Sequence, residues 1–380
     1  MTSADTQYDL VPYPSGLFPE TLPDHLAAIA RLHGLDAPDP ATARVLDVAG
    51  GDGFNVIAMA AAYPDAHFHS FDISSEAVAR GAALAEAAGL SNIRLEVADL
   101  LEAAETMEGP YDYIIAHGLY AWVPEAIQAA TLKLIGRVLA PDGIVFLSYN
   151  ALPGGHLRLA VREMLLHHVD HIADPVKRIQ EARRVLAEFA APRENDRLVV
   201  AAMRQVAEPM LRKQAGVLYH DELTGAYAPQ SLQQVVTAAA AHGLAFLNDA
   251  VPSMVYDGMP GRDMDDAEVV RIAQADDYLA VSFFHQTLLV RPGRSPSRKI
   301  DPANVGKLYA SSLAKRTGET SFLIGRESVE VDEPWLADFL GVLGDAWPER
   351  YPLTQFADSE ERCAVLLKLY QRVILDIHTQ

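Results

Sequence analysis

From residue 44 onward the hydrophobic and polar positions fall into a repeating alternation. Short apolar runs, "RVLDVA", "HFHSFDI", "IRLEVAD", "YDYIIAH" and "IVFLSYN", read as five strands. Alanine-rich amphipathic runs separate them. "FNVIAMAAAYP" reads as a helix ended by Pro64, and "SSEAVARGAALAEAAG" as a helix with serine at its start and Gly89 at its end. "PEAIQAATLKLIGRVLAPDG" reads as a helix closed by a Pro-Asp-Gly turn. Strands separated by helices of this length require right-handed crossovers and a parallel sheet. Ligands of such sheets bind beyond the carboxyl ends of the strands. Chemistry is therefore expected just after Ala49, Phe71, Val97, Ala116 and Tyr149.

The pattern changes after Asn150. Residues 156 to about 215 read as helices throughout, including "LRLAVREMLLHHVDHI" and "VKRIQEARRVLAEFA". A further helix, "PQSLQQVVTAAAAHG", precedes the short strand "LAFLND", and "FFHQTLLVRP" is a longer strand. These two strands are expected to complete the edge of the same sheet. "RPGRSPSRK", rich in Pro, Gly, Ser and positive charge, reads as a linker. Beyond it, two or three helices with short strands predict a small appended α+β module, winged-helix-like in expectation and separable from the cofactor site, though it is expected to cover apolar surface of the core.

Composition narrows the function. Lys plus Arg is 31 and Asp plus Glu is 51, a net charge of −20. That balance argues against nucleic acid or an anionic membrane as partner, since both need clustered positive charge, and mildly favours a cationic ligand. Cys363 is the only cysteine, so neither an intrachain disulfide nor a cysteine zinc cluster is expected. The N-terminus has no signal-peptide pattern and no run of about 18 apolar residues occurs, so a cytoplasmic protein is expected. His167 and His171 in "HHVDH" lie one helical turn apart, but no Glu follows in metalloprotease order. A solvated helix face is the reading, and no metal is expected.

The segment "VLDVAGGDGFN" carries the most specific signal: a strand running into a turn with three glycines and then a helix. Such a turn admits a ligand close to the main chain. The dinucleotide pattern G-x-G-x-x-G fails, because Gly51-x-Gly53 leads to Val56. The alternative is an acid followed by G-x-G-x-G, as in users of S-adenosylmethionine (SAM). Asp47-x-Ala49-x-Gly51-x-Gly53 matches it everywhere except Ala49. A methyl group there is tolerable if Ala49 keeps a negative φ. Asp72 ends the second strand, where a carboxylate can accept from both ribose hydroxyls. Asp99 follows the third, where it can accept from an adenine amino group while Leu100 packs on the ring. Ile73, beside Asp72, and His117, after the fourth strand, complete the expected cofactor set. A helix-capping role competes for each acid alone.

The chain resembles the class I SAM-dependent methyltransferases, and among them a bacterial group that includes protein-lysine methyltransferases with a methyltransferase regulatory domain. The resemblance rests on "YDLVPYPSGLFPETLPDHLAAIARLHGL", "YDYIIAHGLYAWVP", "LSYNALPGGH", "LYHDEL" and "FFHQTLLVRP". It covers roughly 7–156 well, 218–292 less closely and the C-terminal module faintly, and the chain is expected to stop short of fuller members. It implies that Asp47, Gly51, Gly53, Asp72 and Asp99 contact SAM. The expected organisation is a Rossmann-like core with an N-terminal lid (1–155), a helical insertion on the acceptor side (156–228), the rest of the core sheet (229–293) and the appended module (294–380).

Methyl transfer needs alignment and exclusion of water, and an amine acceptor must first lose a proton. Groups placed for those tasks are His117 and Tyr120 after the fourth strand, Tyr149 and Asn150 at the end of the fifth, and Tyr8 and Tyr13 in the lid. Core burial is the competing reading for Tyr149 and for Trp122. The leading expectation is N-methylation of an amine such as a lysine of a protein or peptide. A small-molecule tailoring methyltransferase, an intramolecular alkylation or cyclisation using the sulfonium, and a non-catalytic SAM-binding regulator stay open. So does a homodimer. The Asn/Asp-Pro-Pro-Tyr signature of DNA-type amino methyltransferases is absent.

Overall fold

The computed structural model describes residues 7–194, 197–223, 225–251 and 264–380. After α1 (Gln7–Leu10) and α2 (Pro23–Leu32), the core alternates strand and helix: β1 (Arg44–Val48), α3 (Phe54–Ala62), β2 (His67–Asp72), α4 (Ser75–Ala87), β3 (Ile93–Val97), α5 (Leu100–Thr106), β4 (Tyr111–Ala116), α6 (Glu125–Val138) and β5 (Leu139–Asn150). Four helices follow: α7 (Gly154–Val169), α8 (Pro175–Ala190), α9 (Leu198–Leu211) and α10 (Ala215–Glu222). Then α11 (Leu232–Ala240), β6 (Ala245–Asp249), α12 (Asp266–Ala280) and β7 (Phe284–Val290) complete the sheet.

The seven strands lie in the order β3-β2-β1-β4-β5-β7-β6. Strands β1 to β5 pair in parallel, while β7 runs antiparallel to both neighbours. Four of the five residues of β1 are buried, as expected for a strand covered on both faces. The order reverses direction between β1 and β4, and the glycine turn opens at that crevice. The expected Pro-Asp-Gly turn is corrected. Pro141–Gly143 lie inside β5, where pairing jumps from Tyr111↔Leu139 to Tyr113↔Ile144. The extra residues form a wide bulge, and Arg294 caps it by donating to the Asp142 carbonyl at 2.9 Å.

One face of the sheet buries Leu26, Ile29, Val45, Phe68 and Phe146. The other buries Leu46, Ile114 and Leu147 beneath α5, α6 and α11. The helical insertion has its own cluster around Val161, Leu165, Leu186 and Leu218. The C-terminal part comprises α13 (Pro302–Val305), β8 (Tyr309–Ser311), β9 (Lys315–Arg316), β10 (Ser321–Ile324), β11 (Glu327–Glu330), α14 (Pro334–Ala346), β12 (Tyr351–Pro352), α15 (Glu360–Gln371) and β13 (Asp376–His378). It forms two three-stranded antiparallel sheets, and its Phe322, Phe339 and Leu366 join the same cluster as Leu26 and Phe146.

The segment 291–299, expected to be a linker, is held against the core. Arg291 donates to the carbonyls of Gly136 and Leu139, both at 2.6 Å. Arg298 is buried and donates to Phe246 O at 2.8 Å and Asp266 at 2.6 Å. At the far end, buried Asp24 of α2 accepts from the Thr379 amide at 2.8 Å and Arg350 at 3.0 Å, with His378 Nδ1 at 2.9 Å. Proline, glycine and serine gave the segment its linker composition. Its arginines fix it to the core. Among the described residues, no helix is long and apolar enough to cross a membrane.

Candidate functional site

A cavity of about 420 Å³ opens where β1, β2, β3 and β4 end. Asp47, Ala49, Gly51, Asp72, Ile73, Asp99, Leu100 and His117 line it, as do Tyr8 and Tyr13 from the N-terminal segment. Gly53 does not form the wall. It stands before α3 with φ 67°, and a Cβ there would meet Leu95 at 2.7 Å.

Ala49 departs from expectation. Its φ is +55°, in the left-handed region, where a non-glycine residue costs about 1–2 kcal/mol. The turn that follows Ala49 closes through Gly50 N–H to Phe71 O at 3.1 Å and Gly53 N–H to Gly50 O at 3.0 Å. Gly50, to which the sequence pattern gave no weight, is limited by space. A Cβ there would lie 2.1 Å from Asp47 Oδ2 and 2.3 Å from Ser70 Oγ.

The three strand-end acids have distinct settings. Asp47 is buried beneath the turn and accepts from Ser70 Oγ at 3.2 Å. Burial raises its carboxyl to about 7, against the Ser70 hydrogen bond and with the charges of Asp72 and Asp52 adding to the rise. Asp72 accepts from Gly51 N–H and Ser74 N–H, each at 2.9 Å, so it fixes both the turn and the start of α4. Burial raises its pKa too, opposed by those backbone donors. A carboxylate has about four acceptor positions, so two backbone donors leave room for ligand hydroxyls. Asp99 caps α5 through Leu101 N–H at 2.7 Å while also lining the cavity, so capping and lining coexist.

His117 is half-buried, with Nδ1 2.9 Å from Ser148 Oγ, and its ring lies 4.0 Å from that of Phe18. Ser148 Oγ also accepts from Gly118 N–H at 2.8 Å, so the hydroxyl ties His117 to the backbone after β4. Burial lowers the His117 pKa to about 4, so the imidazole is uncharged at neutral pH.

The expected acceptor-side groups are divided by the structure. Tyr8 and Tyr13 reach the cavity; Tyr120, Tyr149 and Asn150 are buried away from its wall. Tyr149 Oη pairs with Thr287 Oγ1 at 3.0 Å, and Tyr120 packs edge-on against the Tyr149 ring at 6.3 Å. Burial raises the Tyr149 hydroxyl well above its ordinary value and the Tyr120 hydroxyl to about 12. β5 is covered on both faces, which puts Tyr149 and Asn150 inside, and Tyr120 in the turn after β4 packs onto Tyr149. Trp122 lies against Tyr227 at 5.0 Å with Arg158 over its ring at 4.8 Å, outside the cavity wall. His156, His167, His168 and His171 are exposed on α7 and just after it.

Sequence reading missed the apolar wall formed by Leu119, Val123 and Ile127, whose four-residue spacing was the available signal. It also missed how the N-terminal segment is anchored. Ser15 Oγ donates to Asp52 at 2.5 Å, and Phe18 N–H to Asn55 Oδ1 at 3.0 Å.

These residues fit SAM. Asp72 offers acceptors to a ribose, and Ile73, Leu100 and the Leu119–Val123–Ile127 wall offer an apolar slot for a flat ring. Among the described residues, the wall carries four acidic side chains, Asp47, Asp52, Asp72 and Asp99, and one permanent cation, Arg80. That excess suits a sulfonium and opposes a pyrophosphate.

Comparison with known proteins agrees with the geometry. Residues 41–214 match a family described as a methyltransferase domain. An uncharacterised protein of Rickettsia prowazekii is 35% identical over 179 residues, covering 47% of this chain and 71% of that protein. Another uncharacterised protein of that organism is 30% identical over 306 residues, covering 79% of this chain. The chain spans 55% of the length of that relative. The solved structure of PKMT2 from Rickettsia typhi in complex with AdoHcy has a TM-score of 0.83 at 24% identity, over 97% of this chain and 77% of that one. This likeness is one of fold.

Proposed function

We propose, from the premise that this chain belongs to the class I SAM-dependent methyltransferases, that it N-methylates an amine such as a lysine side chain of a protein or peptide. The observation that carries the reading is the acidic character of the cavity: four acidic side chains in its wall, with Tyr8 and Tyr13 of the N-terminal segment also lining it. The net charge of −20 extends the same preference to the whole surface. A cationic acceptor is concentrated by that field. The sequence resemblance to protein-lysine methyltransferases points the same way.

When bound, SAM supplies a methyl carbon already activated on a sulfonium. The chain's own task is to position and to exclude water. Asp72 holds the turn through Gly51 and keeps acceptors for the ribose. The faces of Tyr8 and Tyr13 attract cationic groups, each contact worth about 0.5–2 kcal/mol. His117, held neutral by burial with Nδ1 against Ser148 Oγ, lines the cavity and does not serve as the base; the amine reacts as its free base, its proton having passed to solvent.

The test is to incubate the protein with methyl-labelled SAM and a bacterial extract, then hydrolyse the protein fraction and identify the labelled residue. Label recovered as methyl-lysine supports the reading. Label confined to small molecules, or to no product, rejects it.

A further inference from the structure

The N-terminal segment 8–18 has two anchored faces. One is tied to the cofactor elements: Ser15 to Asp52, and Ser74 Oγ donating to Asp9 at 2.6 Å. The other lies against α10 of the helical insertion. Gly216 approaches so closely that a Cβ would sit 2.3 Å from Pro12 O. His220 stacks flat on Tyr8, with centroids 4.2 Å apart and planes within 4°, and its Nε2 is 2.6 Å from Val11 O. Tyr13 Oη donates to Asp221 Oδ1 at 3.3 Å. Asp221 is itself held: Oδ2 accepts from Arg158 of α7 at 3.2 Å and from Lys213 at 2.6 Å.

We propose that Asp221 is a positioning residue for the cofactor site: it fixes Tyr13, and through Tyr13 the N-terminal segment, so that the helical insertion sets how tightly cofactor is retained. The chain of contacts is continuous. Two cations hold the Asp221 carboxylate, the carboxylate holds the Tyr13 hydroxyl, and the Tyr13 ring forms part of the cavity wall. Tyr8 repeats the arrangement one helical residue away through His220. Any acceptor that displaces α10 therefore loosens the cover of the cofactor cavity, which links acceptor exchange to release of AdoHcy. The inference rests on the cavity being the cofactor's and is independent of which acceptor is methylated.

The test reads AdoHcy affinity by calorimetry in Tyr13→Phe, Asp221→Ala and the double variant. Each single change is expected to weaken binding about tenfold. The double variant should also weaken it about tenfold, because both changes break one link. Asp221→Asn keeps a hydrogen-bond partner for Tyr13 Oη but loses the carboxylate that Arg158 and Lys213 hold, and its affinity should fall between those of the wild type and Asp221→Ala. In the wild-type protein, AdoHcy should slow amide hydrogen exchange in 215–222 together with 8–18, a readout that also decides the matter if Asp221→Ala does not fold. Unchanged affinity in both single variants overturns the proposal. So does a multiplied loss of about a hundredfold in the double variant, or exchange in 215–222 that ignores AdoHcy.

Discussion

Asp47 combines burial, one serine hydrogen bond and two carboxylate neighbours, and its pKa of about 7 follows from that setting. Below that pH it is protonated and neutral; above it, it adds a negative charge beside a site for a cation. SAM affinity should therefore rise severalfold between about pH 6 and pH 8. Asp47→Asn should flatten the profile, and an unchanged profile in that variant would show that another group titrates. His117, held neutral down to about pH 4, contributes no inflection in this range. Asp47, Asp72 and Asp99 were legible in the sequence because residue type and strand-end position coincide. The left-handed φ of Ala49 was not, since it runs against the preference of the residue. Tyr149 and Asn150 were placed correctly on their strand, but period-two alternation does not say what covers each face.

The elements of the core were legible because their periodicities differ: buried strands read as continuous apolar runs, and the helices as amphipathic ones. What escaped were the side-chain contacts between elements. One such contact joins the consecutive β6, α12 and β7. His285 of β7 is fully buried, with Nδ1 2.6 Å from Asp249 of β6 and Nε2 2.8 Å from Asp277 of α12. Burial alone would lower its pKa, but Asp249 and then Asp277 outweigh it and raise it to about 10. The imidazolium thus offsets two buried carboxylates. His285→Gln leaves them without a cation and should destabilise the fold by about 3–5 kcal/mol in urea unfolding. The sign of the pH effect follows from the raised pKa. The contribution is fully present below about 6.5, the ordinary histidine value, and is lost as pH rises through about 10. Wild-type stability should accordingly fall more steeply than that of His285→Gln as pH rises toward 10. Parallel pH dependences would refute the assignment.

At the scale of the whole molecule, the apolar cluster that begins at Leu26 and Ile29 runs without interruption into Phe339 and Leu366. A chain ending near Arg291 should expose that surface and elute as aggregate in size-exclusion chromatography. A soluble, folded monomer of that length would show that the C-terminal part is dispensable to the core. The composition of "RPGRSPSRK" reports backbone preference and not the carbonyls that its arginines reach. The central claim concerns the cavity all these parts hold in place, and equilibrium titration with SAM tests it most directly. Asp72→Ala removes the acceptor for two hydroxyls, each charge-assisted bond worth about 1.5–3 kcal/mol. The account predicts measurable SAM binding by the wild-type protein, weakened at least about tenfold in Asp72→Ala at a temperature where that variant, which also loses the acceptor for Gly51 and Ser74 N–H, is still folded. Equal affinity in the two proteins, or no binding by the wild type, would contradict it.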